Sequence, residues 1–240
     1  MNILAIDTTT KVASVAIKNE KKDITIQDEI SNEITHSEKL LPLIDSTLKK
    51  ASLSLNDINL YAAINGPGSF TGIRIGLATL KAFSMINNVK IFSMSSIELM
   101  SYKAYIMSEL YKNKFKANVA SFIDARNNRV YFGVYKIYIN SENKICIEKI
   151  LNTSNEIITD AINIISTKVD LKDLLFVTNN KELLKSNLNR DDILDLYPTP
   201  NDLIHAYYNI SNINDYIFDT YTLDAIYARK SQAERTKDDV

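Results

Sequence analysis

Apolar residues follow two rhythms along this chain, and the first of them begins twice. Residues 2–7, N-I-L-A-I-D, form a short apolar run that ends on an acid. A polar turn, T-T-T-K, follows, and then V-A-S-V-A-I alternates. Runs of that length predict two strands, and D-I-T-I-Q, carrying Ile24 and Ile26, predicts a third. At 119–124 the pattern returns as V-A-S-F-I-D, again with a polar turn, A-R-N-N-R, and a strand, V-Y-F-G-V-Y. A hairpin over 137–150, turning at Asn140–Asn143, supplies the third strand of that half. Asp7 and Asp124 therefore hold equivalent places, which predicts an internal duplication.

The second rhythm is helical. Over 36–51, Leu40, Leu43, Ile44, Thr47, Leu48 and Ala51 make one apolar stripe, broadened by Leu41. Thr35 and Glu38 have capping-box spacing, and Pro42 falls inside the helix. The order then predicted is a strand at 60–65, a glycine-rich loop, a helix near 71–85, a strand at 90–94 and a helix from Ser95 to about Lys112. The second half predicts a helix near 155–166, a strand at 174–177 and a helix near 181–188. A proline loop at 197–201 leads into a short helix through Tyr208. Three strands followed by alternating helices and strands, in duplicate, predict an α/β protein of two similar lobes. The first lobe is expected over 1–112, with 218–240 packing back on it, and the second over 113–217.

Composition narrows the classes. The chain has 240 residues, is 45% hydrophobic, and carries 28 basic against 29 acidic side chains. With no basic tail or stripe, strong autonomous nucleic-acid binding is not expected. The lone Cys146, in the apolar run I-C-I, cannot form an internal disulfide and is expected in the core. The first residues lack a secretory pattern and no window of 18 apolar residues occurs, so a cytoplasmic location is expected.

Four of the five glycines stand in 66-GPGSFTGIRIG-76. A phosphate-binding P-loop needs a different spacing and a lysine closing the loop, and after Gly66 the first lysine is Lys81. A dinucleotide fingerprint fits Gly66 and Gly68 but meets Thr71 at its third site. The hydrolase elbow fails as well, because Ser69 is flanked by Gly68 and Phe70. Two readings stay open: an anion site at a helix N-terminus assisted by Arg74, or a sharp turn made by Gly66, Gly68 and Gly72. On the second reading Gly72 and Gly76 form a close-approach helix face, and spacing favours it. His36 and His205 stand far apart, without companion metal ligands. Asp7 and Asp124 end strands, where two-lobed enzymes place magnesium or phosphate chemistry; each could equally bond its own turn.

The segments I-L-A-I-D-T-T-T, H-S-E-K-L-L-P-L-I, G-P-G-S-F-T-G-I-R-I-G and I-D-A-R-N-N-R-V-Y together resemble the TsaB family (older name YeaZ). The closing A-I-Y-A-R-K-S-Q-A-E resembles that family's C-terminal segment, while 136–220 carry no signature. The resemblance implies the actin/sugar-kinase/heat-shock ATPase-like fold, with two ribonuclease-H-like lobes, each a mixed sheet flanked by helices. It implies a role in bacterial tRNA threonylcarbamoyladenosine synthesis, as scaffold for the catalytic paralogue TsaD, with the ATPase TsaE as third component. TsaD-like proteins carry H-x-x-x-H on the helix after the strand matching Lys90–Met94; here the region reads S-S-I-E-L-M-S-Y-K-A. The resemblance therefore implies a noncatalytic partner without a metal of its own, ATP and metal belonging to the partners. Asp7 and Asp124 would be a vestigial nucleotide site. The resemblance assigns the glycine face to subunit pairing, with Leu40, Leu41, Ile44, Ile73, Arg74, Gly76, Leu77 and Leu80 as the expected interface. A homodimer of the isolated chain and an indirect contact with tRNA are further expectations. The competing classes are a nucleotide-dependent transferase or kinase of the same fold, and the peptidase label attached to this superfamily.

Overall fold

The computed structural model describes residues 1–31 and 36–228. Thr35, the side chain of His36 and the R-K-S-Q-A-E end of the C-terminal match lie outside the described residues. The chain divides into two compact units, Met1–Ser96 with Pro198–Ile226, and Ile97–Tyr197, which the chain rejoins at Tyr227.

In the first unit, β1 (Ile3–Asp7), β2 (Val12–Asn19) and β3 (Ile24–Ser31) form an antiparallel meander. Helix α1 (His36–Ala51) leads to β4 (Leu60–Ile64), and α2 (Phe70–Asn87) leads to β5 (Ile91–Met94). β4 lies parallel to β1 and β5 parallel to β4. In α1 the stripe from Leu40 to Ala51 is buried in one core with Leu4, Ile6, Val15 and Ile17. α1 packs on β2 and β3, α2 packs on β4 and β1, and the two helices touch. Ile91 joins that core, so Phe92, one residue on, faces the other side of the sheet.

Beyond Ser95 the chain forms α3 (Ser96–Met107) and a single turn, α4 (Glu109–Lys112). One helix over this stretch was expected. Ser108 divides it, donating its hydroxyl to the Tyr105 carbonyl at 2.6 Å and accepting Tyr111 N. The second unit repeats the first: β6 (Ala117–Asp124), β7 (Arg129–Ile139) and β8 (Ile145–Ile157) form the meander. Helix α5 (Ile158–Ser166), β9 (Leu174–Thr178), α6 (Lys181–Leu188) and the two-residue β10 (Leu194–Asp195) complete it. The helix expected from 155 starts only at Ile158, because β8 still pairs Ile157 with Arg129.

Helix α7 (Pro200–Asn209) and β11 (Ile217–Phe218) return to the first unit. β11 pairs with β5, and Tyr207 packs edge-to-face on Phe92 with centroids 5.5 Å apart. The strand orders are β3-β2-β1-β4-β5-β11 and β8-β7-β6-β9-β10. Apart from the added β11, the two sheets have the same order and directions. This is the duplicated, ribonuclease-H-like architecture of two mixed sheets flanked by helices.

The lobe boundaries expected at 112 and 217 are corrected. Helix α3 belongs to the second unit, where Ser101 Oγ meets Ser121 Oγ of β6 at 2.6 Å and Tyr105 donates to the Phe115 carbonyl at 2.9 Å. Helix α7 belongs to the first, packed on β1, β2 and β4.

Scarce glycine has a structural counterpart. Among the described residues nine non-glycine positions have positive φ, and five of these are asparagines: Asn88, Asn127, Asn128, Asn143 and Asn189. Asparagine tolerates the left-handed region better than other side chains. Asn88 and Asn189 end α2 and α6 in that conformation, the usual place of a terminating glycine.

Candidate functional site

The glycine loop closes against the turn that follows β1. Asp7 is buried, and its Oδ1 accepts from Thr9 N at 2.8 Å and from Thr9 Oγ1 at 2.6 Å. Ser69 N donates to the Thr9 carbonyl at 2.6 Å, and Thr8 Oγ1 donates to the Gly72 carbonyl at 2.8 Å. Ser69 caps α2 by accepting Gly72 N at 3.2 Å. A Cβ added at Gly68 would overlap the Thr9 carbonyl, and one at Gly76 would overlap Thr8 Oγ1. At Gly66, with φ +105°, a Cβ would lie 2.6 Å from the Ile226 carbonyl. Gly66, Gly68 and Gly76 are required because three backbone stretches meet there: the β1 turn, the loop into α2, and residues 224–226. Close packing is the role this geometry supports.

Asp124 repeats the arrangement in the second unit. Its Oδ1 accepts from Arg126 N, two residues on, at 2.7 Å, and its Oδ2 accepts from Asn180 Nδ2 at 2.9 Å. Both aspartates thus hold their own turns, and the duplication extends to side-chain bonding. A polar cleft of about 430 Å³ opens beside Asp124, lined by Arg126, Asn179, Asn180 and Lys181 together with Glu182 and Asp195. It lies at the carboxyl ends of β6, β9 and β10, where open α/β sheets bind ligands.

Of the eight expected interface residues, six are turned inward. Leu40, Ile44, Ile73, Leu77 and Leu80 lie in the first unit's own core, and Gly76 faces Thr8. Only Leu41, 52% exposed, and Arg74 point to solvent; the Arg74 guanidinium lies 3.8 Å from the Phe70 ring centroid. The expectation of an outer close-approach face at Gly76 is corrected: the approach Gly76 permits is to Thr8 and Ile6, on β1 and its turn, while Gly72 is buried and its carbonyl accepts the Thr8 hydroxyl. The outward face of α2 is instead Thr71, Arg74, Ala78, Ala82 and Met85, at helical spacing, with Ile86 beside them. Met85 is 62% and Ile86 76% exposed. Sequence reasoning named only Arg74 of this face, because Ala78, Ala82, Met85 and Ile86 are small or apolar like the inner side, so periodicity did not mark which side was buried.

Cys146 is only partly buried, on β8 opposite Tyr138, rather than in the core. Tyr138 donates to Glu148 at 2.7 Å, and that bond with partial burial pushes its hydroxyl up to about 12. His205 lies on α7, in the first unit. Among the described residues no helix is long and apolar enough to cross a membrane, and no group of three or more His, Cys, Asp or Glu could hold a metal.

A family model described as TsaD, tRNA N6-adenosine threonylcarbamoyltransferase, matches residues 29–192. The chain belongs to that family. The relatives that it matches carry the TsaB name. The tRNA threonylcarbamoyladenosine biosynthesis protein TsaB of Haemophilus influenzae is 35% identical over 134 residues, covering 55% of this chain and 52% of the relative. The TsaB of Bacillus subtilis is 27% identical over 195 residues, covering 81% and 77%. The chain thus spans about half the length of the H. influenzae relative. YeaZ from Pseudomonas aeruginosa shares the fold, with a TM-score of 0.70 at 21% identity over 94% of this chain and 99% of that one.

Proposed function

We propose that this TsaB-type chain is the noncatalytic dimerisation subunit of tRNA threonylcarbamoyladenosine synthesis. On this reading it supports a TsaD-like partner that transfers the threonylcarbamoyl group to adenosine beside the anticodon. The observation that carries the reading is the outer face of α2. Its inner side chains are fully used in the first unit's core, yet Ala78, Ala82, Met85 and Ile86 remain turned to solvent. Leu41 on the neighbouring α1 is exposed as well. Small residues let a second helix approach closely, and two such helices from each partner would form a four-helix bundle. The turn bonding of Asp7 supports a structural use of that carboxylate. ATP and metal then belong to the TsaD-like and TsaE-like partners, homodimers form through the same face when the chain is alone, and the assembly works in the cytoplasm.

The test is reconstitution: the full chain is mixed with a TsaD-like partner and a TsaE-like ATPase, and modified adenosine is counted by mass spectrometry. Modification that requires this chain and survives Asp7→Asn supports the reading. ATP turnover by this chain alone, lost in Asp7→Asn, would overturn it.

A further inference from the structure

At the end of the second sheet where β6 begins, the chain reads 111-YKNKFK-116. Phe115 is 61% exposed, and Lys112, Lys114 and Lys116 around it are exposed too. The loop is not slack. Asn113 N donates to the Glu109 carbonyl at 3.1 Å, Lys114 N to Tyr111 at 3.0 Å and Phe115 N to Leu110 at 2.8 Å. The Phe115 carbonyl accepts the hydroxyl of buried Tyr105 at 2.9 Å. Backbone bonds on both sides of the ring therefore fix the stretch that holds it in solvent. Lys114 stands at φ 58°, a left-handed conformation that lysine adopts only where its surroundings impose it. Its ammonium donates to Asn143 Oδ1 at 3.1 Å, tying the loop to the β7–β8 turn beside Lys144. Lys112 is paired with Glu109 at 2.6 Å, whereas Lys114 and Lys116 form no ion pair with a described residue.

A fixed, outward phenyl ring offers one face for a planar group, and the lysines on either side offer charge to anions adjoining it. That is the chemistry of an unpaired nucleotide: a base that stacks on an aromatic ring, with phosphates before and after it. A duplex hides its base faces, and a protein partner would bury the ring without needing around it two ammonium groups that have no carboxylate partner among the described residues. We propose that the Lys112–Lys116 loop is an RNA-contact surface that stacks one unpaired base on Phe115 and holds the adjoining phosphates with Lys114 and Lys116. The inference rests on the proposed role in tRNA modification, which supplies an RNA with an unpaired loop. Binding by the chain alone is weak, in keeping with its overall charge of −1.

The experiment uses the full chain with a fluorescein-labelled hairpin RNA carrying an unpaired loop, and a fully paired duplex as control, at about 50 mM salt. Phe115→Ala weakens hairpin binding about five-fold or more, and Phe115→Trp retains it. Lys114→Ala with Lys116→Ala lowers the log–log salt slope by about 1.4, the value for two phosphate contacts on a single strand. Ultraviolet crosslinks of the hairpin fall on the peptide containing Phe115. Unchanged affinity in all the variants, equal loss with the duplex, or crosslinks confined elsewhere would overturn the inference. So would a Phe115→Ala chain that binds RNA normally but no longer assembles with the TsaD-like partner. Should reconstituted modification fail while Phe115-dependent RNA binding persists, the proposed function falls and the RNA surface stands.

Discussion

Gly76 leaves its side-chain space to Thr8: a Cβ there would overlap the Thr8 hydroxyl, which donates to the Gly72 carbonyl at 2.8 Å. Substituting Gly76 therefore acts on folding before it acts on any partner. Gly76→Ala should destabilise the chain by about 1–3 kcal/mol, the range for forcing extra volume into a packed site. In chemical denaturation, part of that loss should be recovered when Thr8→Ala is added. Gly76→Arg, which adds far more volume at the same place, should give little folded protein. Equal stability of Gly76→Ala and the parent would remove the close-contact account.

The outer face of α2 makes the opposite demand. Ala82→Arg changes an exposed position, so stability should stay within about 0.5 kcal/mol of the parent. Light scattering on mixtures with a TsaD-like partner should show the complex lost. A complex of normal mass with Ala82→Arg would move the interface elsewhere.

Ser101 and Ser121 form an unequal pair. Both are fully buried, and Ser101 Oγ donates to the Ile97 carbonyl at 3.0 Å while meeting Ser121 Oγ at 2.6 Å. With its one hydrogen committed to Ile97, Ser101 serves as the acceptor for Ser121. Ser101→Ala leaves the Ser121 hydroxyl without that acceptor and should cost about 1–3 kcal/mol. Ser121→Ala leaves Ser101 bonded to Ile97 and should cost about 1 kcal/mol. A double-mutant cycle by urea unfolding reads the asymmetry, and the reverse order would refute the proton assignment.

Asp28 links β3 to α1. Its carboxylate accepts from Lys50 at 2.6 Å and from Thr47 at 3.0 Å. The Lys50 bond holds its pKa below the usual carboxylate value, partly offset by burial. A carboxyl depressed in the folded state adds stability at pH above its unfolded pKa, near 3.9, and loses it as pH falls through the folded value. Asp28→Asn should cost about 0.5 kcal/mol at neutral pH and nothing once the pH has fallen below the folded value, because Lys50 is exposed and solvent screens the pair. Thermal melts across that range show whether the gap closes on the acid side.

The meanders, the duplication and the stripe of α1 were legible in the sequence, because each has a clean period or a run of fixed length. The orientation of α2 was not. Its inner face carries Gly76 and its outer face carries Ala78, Ala82, Met85 and Ile86, so small and apolar residues occur on both sides, and the approach of Thr8 to Gly76 shows which one is buried. Nor was the assignment of α3 to the second unit, which depends on the Ser101 and Tyr105 contacts made after the chain turns. Asp7 and Asp124 were found from their place at strand ends; what each bonds required the folded turn.

The use of asparagine in left-handed turns bears on how the protein ages. Asparagine followed by glycine loses its side-chain amide fastest, because an unhindered backbone nitrogen attacks the side-chain carbonyl carbon to form a succinimide. The left-handed asparagines here are followed by Val89, Asn128, Arg129, Lys144 and Arg190, all hindered. The sequence contains one Asn-Gly step, Asn65–Gly66. There the Asn65 side chain is buried and donates to the Asp224 carbonyl at 3.0 Å, and the Gly66 carbonyl accepts from Ser96 N. Folding thus shields the step most prone to this loss, and damage at that bond would serve as a clock for time spent unfolded.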